Sequence, residues 1–479
     1  MSGEPCVLFV CRASPEIGGG HVVRCHALAR QLAALGWRTG FQVNPQAPAT
    51  VPFLEEEFLT NGDDFGATLV VVDDYARDAE AERALHGKAP VLMAMDDLAD
   101  RHHDCDVLLD PTPGRTADEY ADRVPDGCRL LLGPNHALLR PEFRLARRRA
   151  RTRLSVDRVL IAPGQTDPRD LASLAVAAVM RALPQARIDV VLGAAASNIA
   201  LLKETAGAHP AGYITVHVDL DGAAMAERMI AADLAIGAAG GSTWERCVLG
   251  LPSLVVTVAE NQRDNAAALE RDGAARYVGS VEMLSVDVLA EAISAIAQDE
   301  HALSAMSRRA AELCDGRGTF RAAAAVVPPR AARDGAPVRL RATEGSDAEI
   351  LFSWQRDPET RRYARNPEPP AWDEHVAWLE AKLEDDDCLF TMVEHGGQPC
   401  GFVRLDRVSE SREVSIVTAP EVRRTGVARA ALGLARDLVP GGDIIAYVKP
   451  ENAASLALFQ AAGYQPAGED YYRQGPSDG

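Results

Sequence analysis

Ser14-Pro15-Glu16-Ile17-Gly18-Gly19-Gly20-His21-Val22-Val23-Arg24-Cys25-His26 follows the apolar run Val7-Leu8-Phe9-Val10 and precedes a helix-period pattern. A strand here feeds a glycine loop into a helix. Glycines 18 to 20 can take positive φ and admit a ligand close to the backbone, while the helix start offers unpaired N–H groups and a partial positive charge to an anion. His21 stands at the mouth of that site. Gly240-Gly241-Ser242-Thr243-Trp244-Glu245-Arg246 repeats the arrangement after the apolar strand Asp233-Leu234-Ala235-Ile236-Gly237. Strand patterns at Thr68–Val72, Val91–Met95, Val107–Leu109, Arg158–Ile161, Ile188–Leu192 and Thr215–Val218 alternate with helical ones. The expectation is two α/β halves facing each other across a cleft, each with a ligand loop at the carboxyl end of its strands.

Further blocks extend the reading: Asp73-Asp74-Tyr75, Asp96-Asp97-Leu98-Ala99, Leu132-Gly133-Pro134, Ala137-Leu138-Leu139-Arg140-Pro141, Gly164-Gln165-Thr166-Asp167-Pro168 and Asn261-Gln262. With Ile17-Gly-x-Gly-His21-x-x-Arg24-Cys25 and Thr243-Trp244-Glu245-Arg246-Cys247, they make residues 5 to about 315 resemble the hydrolases of pseudaminic acid biosynthesis. Those enzymes remove UDP from UDP-2,4-diacetamido-2,4,6-trideoxy-β-L-altropyranose. The resemblance implies a two-domain glycosyltransferase B-like fold of two Rossmann-like halves, the second holding most of the nucleotide. It implies His21 as general base for a water attacking C1 with inversion, a task suited to a side chain that ordinarily titrates near neutrality. Tyr75 matches a tyrosine lining the sugar pocket and is placed with His21 in the catalytic set. Gly19, Gly20, Arg24, Arg140, Gly164, Thr166, Gly240, Gly241, Ser242, Thr243, Glu245, Asn261 and Gln262 fall in blocks expected to bind the UDP-sugar, with Glu245 accepting from ribose hydroxyls. This chain departs from the pattern at Gln165, where a glycine is usual and an added Cβ lessens the loop's approach to phosphate, at His136 in place of tyrosine and at His102 in place of proline.

Beyond Thr319-Phe320-Arg321, Val327-Pro328-Pro329-Arg330-Ala331-Ala332-Arg333-Asp334-Gly335-Ala336-Pro337 reads as a linker. A new α/β pattern follows, and Arg423-Arg424-Thr425-Gly426-Val427-Ala428 sits between the strand Glu413–Val417 and the helix Ala428–Leu438. With Asn452-Ala453-Ala454-Ser455 and Gly463-Tyr464, this resembles the GNAT acetyltransferases. The resemblance implies acetyl-CoA as co-substrate, bound by Val417, Arg423, Arg424, Thr425, Gly426, Val427, Ala428, Asn452 and Ser455 through amide capture of a pyrophosphate at a helix start. Glu413 stands where a carboxylate can take a proton from an ammonium substrate, or is a solvated strand-end glutamate. Phe459 replaces a tyrosine that in many relatives protonates the CoA thiolate, and phenylalanine cannot donate. Tyr464 or water then serves, or the thiolate leaves unprotonated, or the domain has lost rate.

The expected organisation is 1–152 and 153–325 as Rossmann-like halves, 326–337 as linker and 338–479 as a C-terminal GNAT α/β domain, consistent with about three domains of roughly 150 residues. The formal net charge of −19 excludes a general nucleic-acid surface. The apolar stretch Leu171–Met180 contains Ser173 and ends at Arg181, too short to span a bilayer. Nine cysteines without a CxxC pair suit reduced thiols in a cytoplasmic enzyme. No metal is expected, because His102-His103-Asp104-Cys105-Asp106 along a strand would point to alternate faces. The implied partners are a UDP-linked amino sugar and acetyl-CoA, with no nucleic acid and no membrane. The pathway joins the halves: a C4 amine is acetylated, then UDP is removed. A glycosyltransferase of the same fold with an appended acetyltransferase and a non-catalytic nucleotide-sugar sensor are the competing readings.

Overall fold

A computed structural model describes residues 4–14, 17–51, 54, 59–60 and 65–476; Pro15 and Glu16 of the opening motif lie outside the described residues. The first half forms a six-stranded parallel sheet of β1 (Cys6–Cys11), β2 (Arg38–Val43), β3 (Leu69–Asp73), β4 (Val91–Met95), β5 (Val107–Asp110) and β6 (Arg129–Leu132), in the order β2-β1-β3-β4-β5-β6. The second half forms another from β7 (Arg158–Ala162), β8 (Arg187–Leu192), β9 (Ile214–Val218), β10 (Leu234–Ala238), β11 (Ser253–Thr257) and β12 (Arg276–Ser280), in the order β12-β11-β10-β7-β8-β9. Strands β1, β3, β4, β7, β10 and β11 are near-continuous apolar runs because helices cover both faces of such sheets.

Strand order decides where ligands can enter. In the first sheet the chain reverses direction between β1 and β3, and in the second between β7 and β10. At such a switch point the connecting loops diverge and leave a crevice at the carboxyl ends of the strands. The loops there include residues 13–14, 17–19 and 74–78 in the first half, and 163–170 and 239–241 in the second. The motifs at 17–25, 73–75, 164–168 and 240–246 lie at these reversals, whereas those at 96–99, 132–134 and 261–262 follow β4, β6 and β11.

The third sheet comprises β13 (Arg330–Ala331), β14 (Pro337–Ala342), β15 (Cys388–His395), β16 (Gln398–Val408), β17 (Ser411–Thr418), β18 (Asp443–Tyr447), β19 (Gln465–Gly468) and β20 (Tyr471–Gln474), in the order β13-β14-β15-β16-β17-β18-β20-β19. All its pairs are antiparallel except β17 with β18. The architecture is two Rossmann-like halves of glycosyltransferase B type followed by a GNAT-type α/β sheet.

The segment 326–337 differs from the expected linker. Val326 and Val327 are buried, and Arg330–Ala331 pair with Pro337–Val338. One continuous apolar cluster contains Phe9, Leu28, Trp37 and Phe41 of the first half together with Val326, Val338, Leu434 and Leu438. Trp37 donates its indole N–H to the Leu438 carbonyl at 3.3 Å. Gly36, at φ +98°, lies so close to Gly441 that a Cβ would collide with its backbone. Composition marked proline and glycine as spacers, whereas here they shape a hairpin and a close contact.

Candidate active sites

The register that pairs Cys11 with Asp73 puts the Asp73 carboxylate at the carboxyl edge of the first sheet, beneath the helix Gly20–Ala34. His21, Arg24 and Cys25 lie at i, i+3 and i+4, one face of that helix, and all three reach down to it. His21 Nδ1 is 2.6 Å from Asp73 Oδ1, Arg24 donates to both carboxylate oxygens at 2.6 Å each, and Cys25 Sγ lies 3.7 Å from Oδ2. Burial alone would push the Asp73 carboxyl up, but Arg24 and His21 hold it far below the usual carboxylate range. An ionised carboxylate at Nδ1 fixes the imidazole with its proton there, leaving Nε2 as the basic nitrogen.

Arg24 extends a third donor to Asp97 Oδ2 at 3.2 Å, and Tyr75 donates to Asp97 Oδ1 at 2.5 Å. The Tyr75 ring stands edge-on to His21 with centroids 4.7 Å apart. Burial raises the Tyr75 phenol well above its ordinary value, Arg24 opposes this, and Asp97 reinforces it, so Tyr75 is a hydrogen-bond donor rather than a base. Arg24, expected among the UDP-binding residues, has its guanidinium spread over two carboxylates. Asp73 and Asp97, which organise the site, received no role from the sequence. A carboxylate at or just beyond the end of a parallel strand, in β3 and after β4, was the available signal.

In the second half, Gly240–Thr243 follow β10 and open the helix Ser242–Val248. Arg246, also without a role from the sequence, is completely buried and braces this loop, donating to Ser242 Oγ (3.2 Å), the Ala238 carbonyl (2.8 Å) and Thr243 Oγ1 (3.0 Å). Burial with no facing carboxylate bond pulls its guanidinium down to about 10. Arg140 of the first half donates twice to Glu245 Oε1, at 2.8 and 3.1 Å, which leaves Oε2 without a protein donor among the described residues and able to accept from a ligand. Gln262 accepts from Val258 N at 3.0 Å. Gly164, at φ +133°, and Thr166 lie on the loop after β7, across the switch point from Gly240.

Besides the Arg140–Glu245 pair, further contacts span the cleft. Asn261 donates to the Tyr75 hydroxyl at 3.4 Å, and Gln165 packs over Gly19 so closely that a side chain at 19 would collide with it. Gln165 does not withdraw its loop from the site; its amide oxygen is buried against the first-half glycine loop.

The His102–Asp106 run is irregular, with β5 beginning at Val107, so the alternate-face argument does not apply to it. His103 turns inward, with Nδ1 at 2.9 Å from Glu82 and Nε2 at 3.5 Å from Asp96. Burial disfavours its charged form, but Asp96 and Glu82 outweigh this and raise it to about 9. Asp104 pairs instead with Arg83 and His86. No group of three or more His, Cys, Asp or Glu among the described residues is placed to hold a metal ion.

In the third sheet, parallel pairing of β17 with β18 stops at Glu413–Ile445. Beyond it the strands part, and a cavity of about 1900 Å³ opens between them. Val417, Arg423, Arg424, Gly426, Ala428, Asn452, Ser455 and Glu413 line it. Val427 and Thr425 do not: Val427 is fully buried as the first residue of the helix Val427–Leu438, and Thr425 turns its hydroxyl to the Val422 carbonyl. Arg423 pairs with Asp357 and Glu359, and Glu413 with Arg365 at 2.9 Å. Tyr464, offered as a proton donor, is buried behind the cavity wall against Phe459, its hydroxyl unpartnered among the described residues. The phenols on the wall belong to Tyr363 and Tyr447. No helix among the described residues is long and apolar enough to cross a membrane.

Residues 338–465 match the Acetyltransferase (GNAT) domain family, and residues 221–320 match the Glycosyltransferase family 28 C-terminal domain. The chain is 25% identical over 334 residues to the spore coat polysaccharide biosynthesis protein SpsG of Bacillus subtilis, covering 64% of this chain and 94% of that protein. It is 29% identical over 148 residues to the UDP-2,4-diacetamido-2,4,6-trideoxy-beta-L-altropyranose hydrolase of Campylobacter jejuni, covering 29% of this chain and 53%, about half, of the hydrolase. Among solved structures, Acinetobacter baumannii MurG is similar at 15% identity and a TM-score of 0.45, covering 66% of this chain and 97% of MurG. The chain is thus an α/β protein with a glycosyltransferase B-like pair of halves, homologous in part to the UDP-sugar hydrolase and SpsG proteins, and with a C-terminal GNAT acetyltransferase domain.

Proposed function

We propose that the protein is a bifunctional nucleotide-sugar enzyme of pseudaminic acid biosynthesis. Its GNAT domain N4-acetylates a UDP-4-amino sugar, and its cleft then hydrolyses UDP-2,4-diacetamido-2,4,6-trideoxy-β-L-altropyranose to the free sugar and UDP. The observation that carries the hydrolytic reading is the His21–Asp73 pair, 2.6 Å apart at the switch point of the first sheet, beside Gly19, over which Gln165 of the second half packs. With Nδ1–H given to Asp73, Nε2 takes the proton of a water attacking C1, and UDP departs from the opposite face. Amides of residues 240–243 stabilise the charge growing on the diphosphate, and the free Glu245 oxygen accepts from ribose hydroxyls. Tyr75, held by Asp97, borders the sugar.

In the acetyl transfer the C4 amine attacks the thioester carbonyl, the C–S bond breaks and the amide forms. Glu413 takes the proton from nitrogen, directly or through water. The departing thiolate receives one from water or from a cavity phenol, Tyr363 or Tyr447. The match of residues 221–320 to the Glycosyltransferase family 28 C-terminal domain favours a second reading, transfer of the sugar to an acceptor hydroxyl. Incubation of the protein with UDP-4-amino sugars, with and without acetyl-CoA, tests both. The expected products are N4-acetylated UDP-sugar, free diacetamido sugar and UDP; failure to release sugar to water overturns the hydrolytic reading.

A further inference from the structure

The GNAT match begins at residue 338, yet the cavity wall continues upstream of it through Arg330, Ala331, Ala332 and Arg333. Those residues belong to the hairpin of β13 and β14, whose turn is closed by Ala332 N donating to the Ala336 carbonyl at 3.0 Å. The hairpin is bolted to the Arg423–Ala428 loop: Arg333 N donates to the Thr425 carbonyl and Arg333 Nη1 to the Arg424 carbonyl, both at 2.9 Å. A Cβ on Gly426 would lie 3.0 Å from Arg333 Cγ, so the arginine stem lies directly against the glycine.

The arginines on this rim divide into paired and unpaired. Arg330 is satisfied by Asp437 through two bonds of 2.6 and 2.7 Å, and Arg423 by Asp357 and Glu359. Arg333, Arg424 and Arg429 all line the cavity, all are exposed, and none has a carboxylate partner among the described residues. In a chain of net charge −19, three uncompensated guanidinium groups around one loop repel each other unless an anion joins them. Arginine forks suit phosphate oxygens in particular.

We propose that the hairpin 330–336 is part of the acyl-CoA site, and that Arg333, with Arg424 and Arg429, binds phosphate groups of coenzyme A. This rests on the reading of the domain as an acetyl-CoA enzyme. It makes the segment between the two catalytic units a component of the second one.

Calorimetric titration of the full chain with CoA and with 3′-dephospho-CoA tests it. Arg333→Ala should weaken CoA binding about tenfold, Arg333→Lys should restore most of the loss, and Arg429→Ala should weaken binding in the same direction. The gap between wild type and Arg333→Ala should narrow at high salt. An equal loss with dephospho-CoA assigns Arg333 to the pyrophosphate, and a loss confined to CoA assigns it to the 3′-phosphate. Arg333→Ala and Arg429→Ala that melt like wild type and bind CoA with unchanged affinity overturn the proposal. Failure of the wild-type chain to bind CoA is a different result, because it removes the acetyl-CoA reading itself.

Discussion

At the scale of single residues, one buried carboxylate carries most of the cleft. Asp73 is fully buried and accepts from His21 and twice from Arg24, so it orients the proposed base and is itself held by the Arg24 guanidinium. His21→Asn should lower UDP release by about 10²–10⁴-fold, the usual contribution of a general base, and leave UDP affinity within a few fold; release kinetics beside a UDP titration check this, and near-normal turnover would end the base assignment. His103 gives a stability prediction. Its folded-state value, raised to about 9 by Asp96 and Glu82 against burial, lies above the ~6.5 of an unfolded histidine. The stabilisation is therefore fully present below about pH 6.5 and is lost as pH rises through 9, on the order of 3 kcal/mol in all. Denaturant melts at pH 6 and 9 should show that loss in wild type and a smaller one in His103→Gln. The histidine proposed as base was legible because a glycine loop before a helix has few other readings once paired with a second such loop. Asp73 was not, since an aspartate ending an apolar strand looks the same whether it faces a helix dipole, a cation or water.

At the scale of elements, strands and loops met the sequence pattern closely where burial is two-sided. The apolar runs at Val91–Met95 and Arg158–Ile161 became β4 and β7 almost residue for residue. Mixed segments such as β2 and β12, partly exposed, had no such run to mark them. Parting of β17 from β18 after three paired residues could not be read from either strand alone, because both continue as good strand sequence. The loop that crosses this gap is sensitive to Gly426, at φ +92° and against Arg333. Gly426→Val imposes a β-branched side chain on a left-handed backbone and displaces Arg333. It should abolish detectable CoA binding, measured by titration, while costing the whole chain only about 1–3 kcal/mol in denaturant melts; retained CoA affinity would show that the loop does not bear the ligand.

At the scale of the whole molecule, the acetyltransferase domain is packed on the first half. The shared apolar cluster, the Trp37–Leu438 bond and the Gly36–Gly441 contact join them, and Arg129 of β6 donates to the Leu340 carbonyl at 2.9 Å. Separation at 328–337, expected from composition to release two independent pieces, should instead expose Trp37 and Leu438 with their neighbours on both fragments. Residues 1–327 and 338–479 expressed apart should be poorly soluble, and co-expression should restore a complex; two separately soluble monomers would refute the shared core. The proposed order of action belongs to this scale too. A pocket shaped for an amide leaves polar groups unpaired around an ammonium, so UDP release from the N4-acetylated sugar should exceed release from the free amine by at least about tenfold, compared as kcat/KM. Equal rates would place the acetyltransferase on another substrate.

By itself the sequence determined the number of α/β units, the two glycine loops and the chemistry of the residues beside them, because hydrophobic period, glycine and charge act locally and survive without knowledge of the partner. The tertiary structure alone decided which residues share a carboxylate, where the strand orders reverse and which surface the acetyltransferase covers. Those depend on strand order and on contacts hundreds of residues apart, such as Trp37 with Leu438, and no local pattern encodes which of many apolar or charged surfaces will be the one that meets.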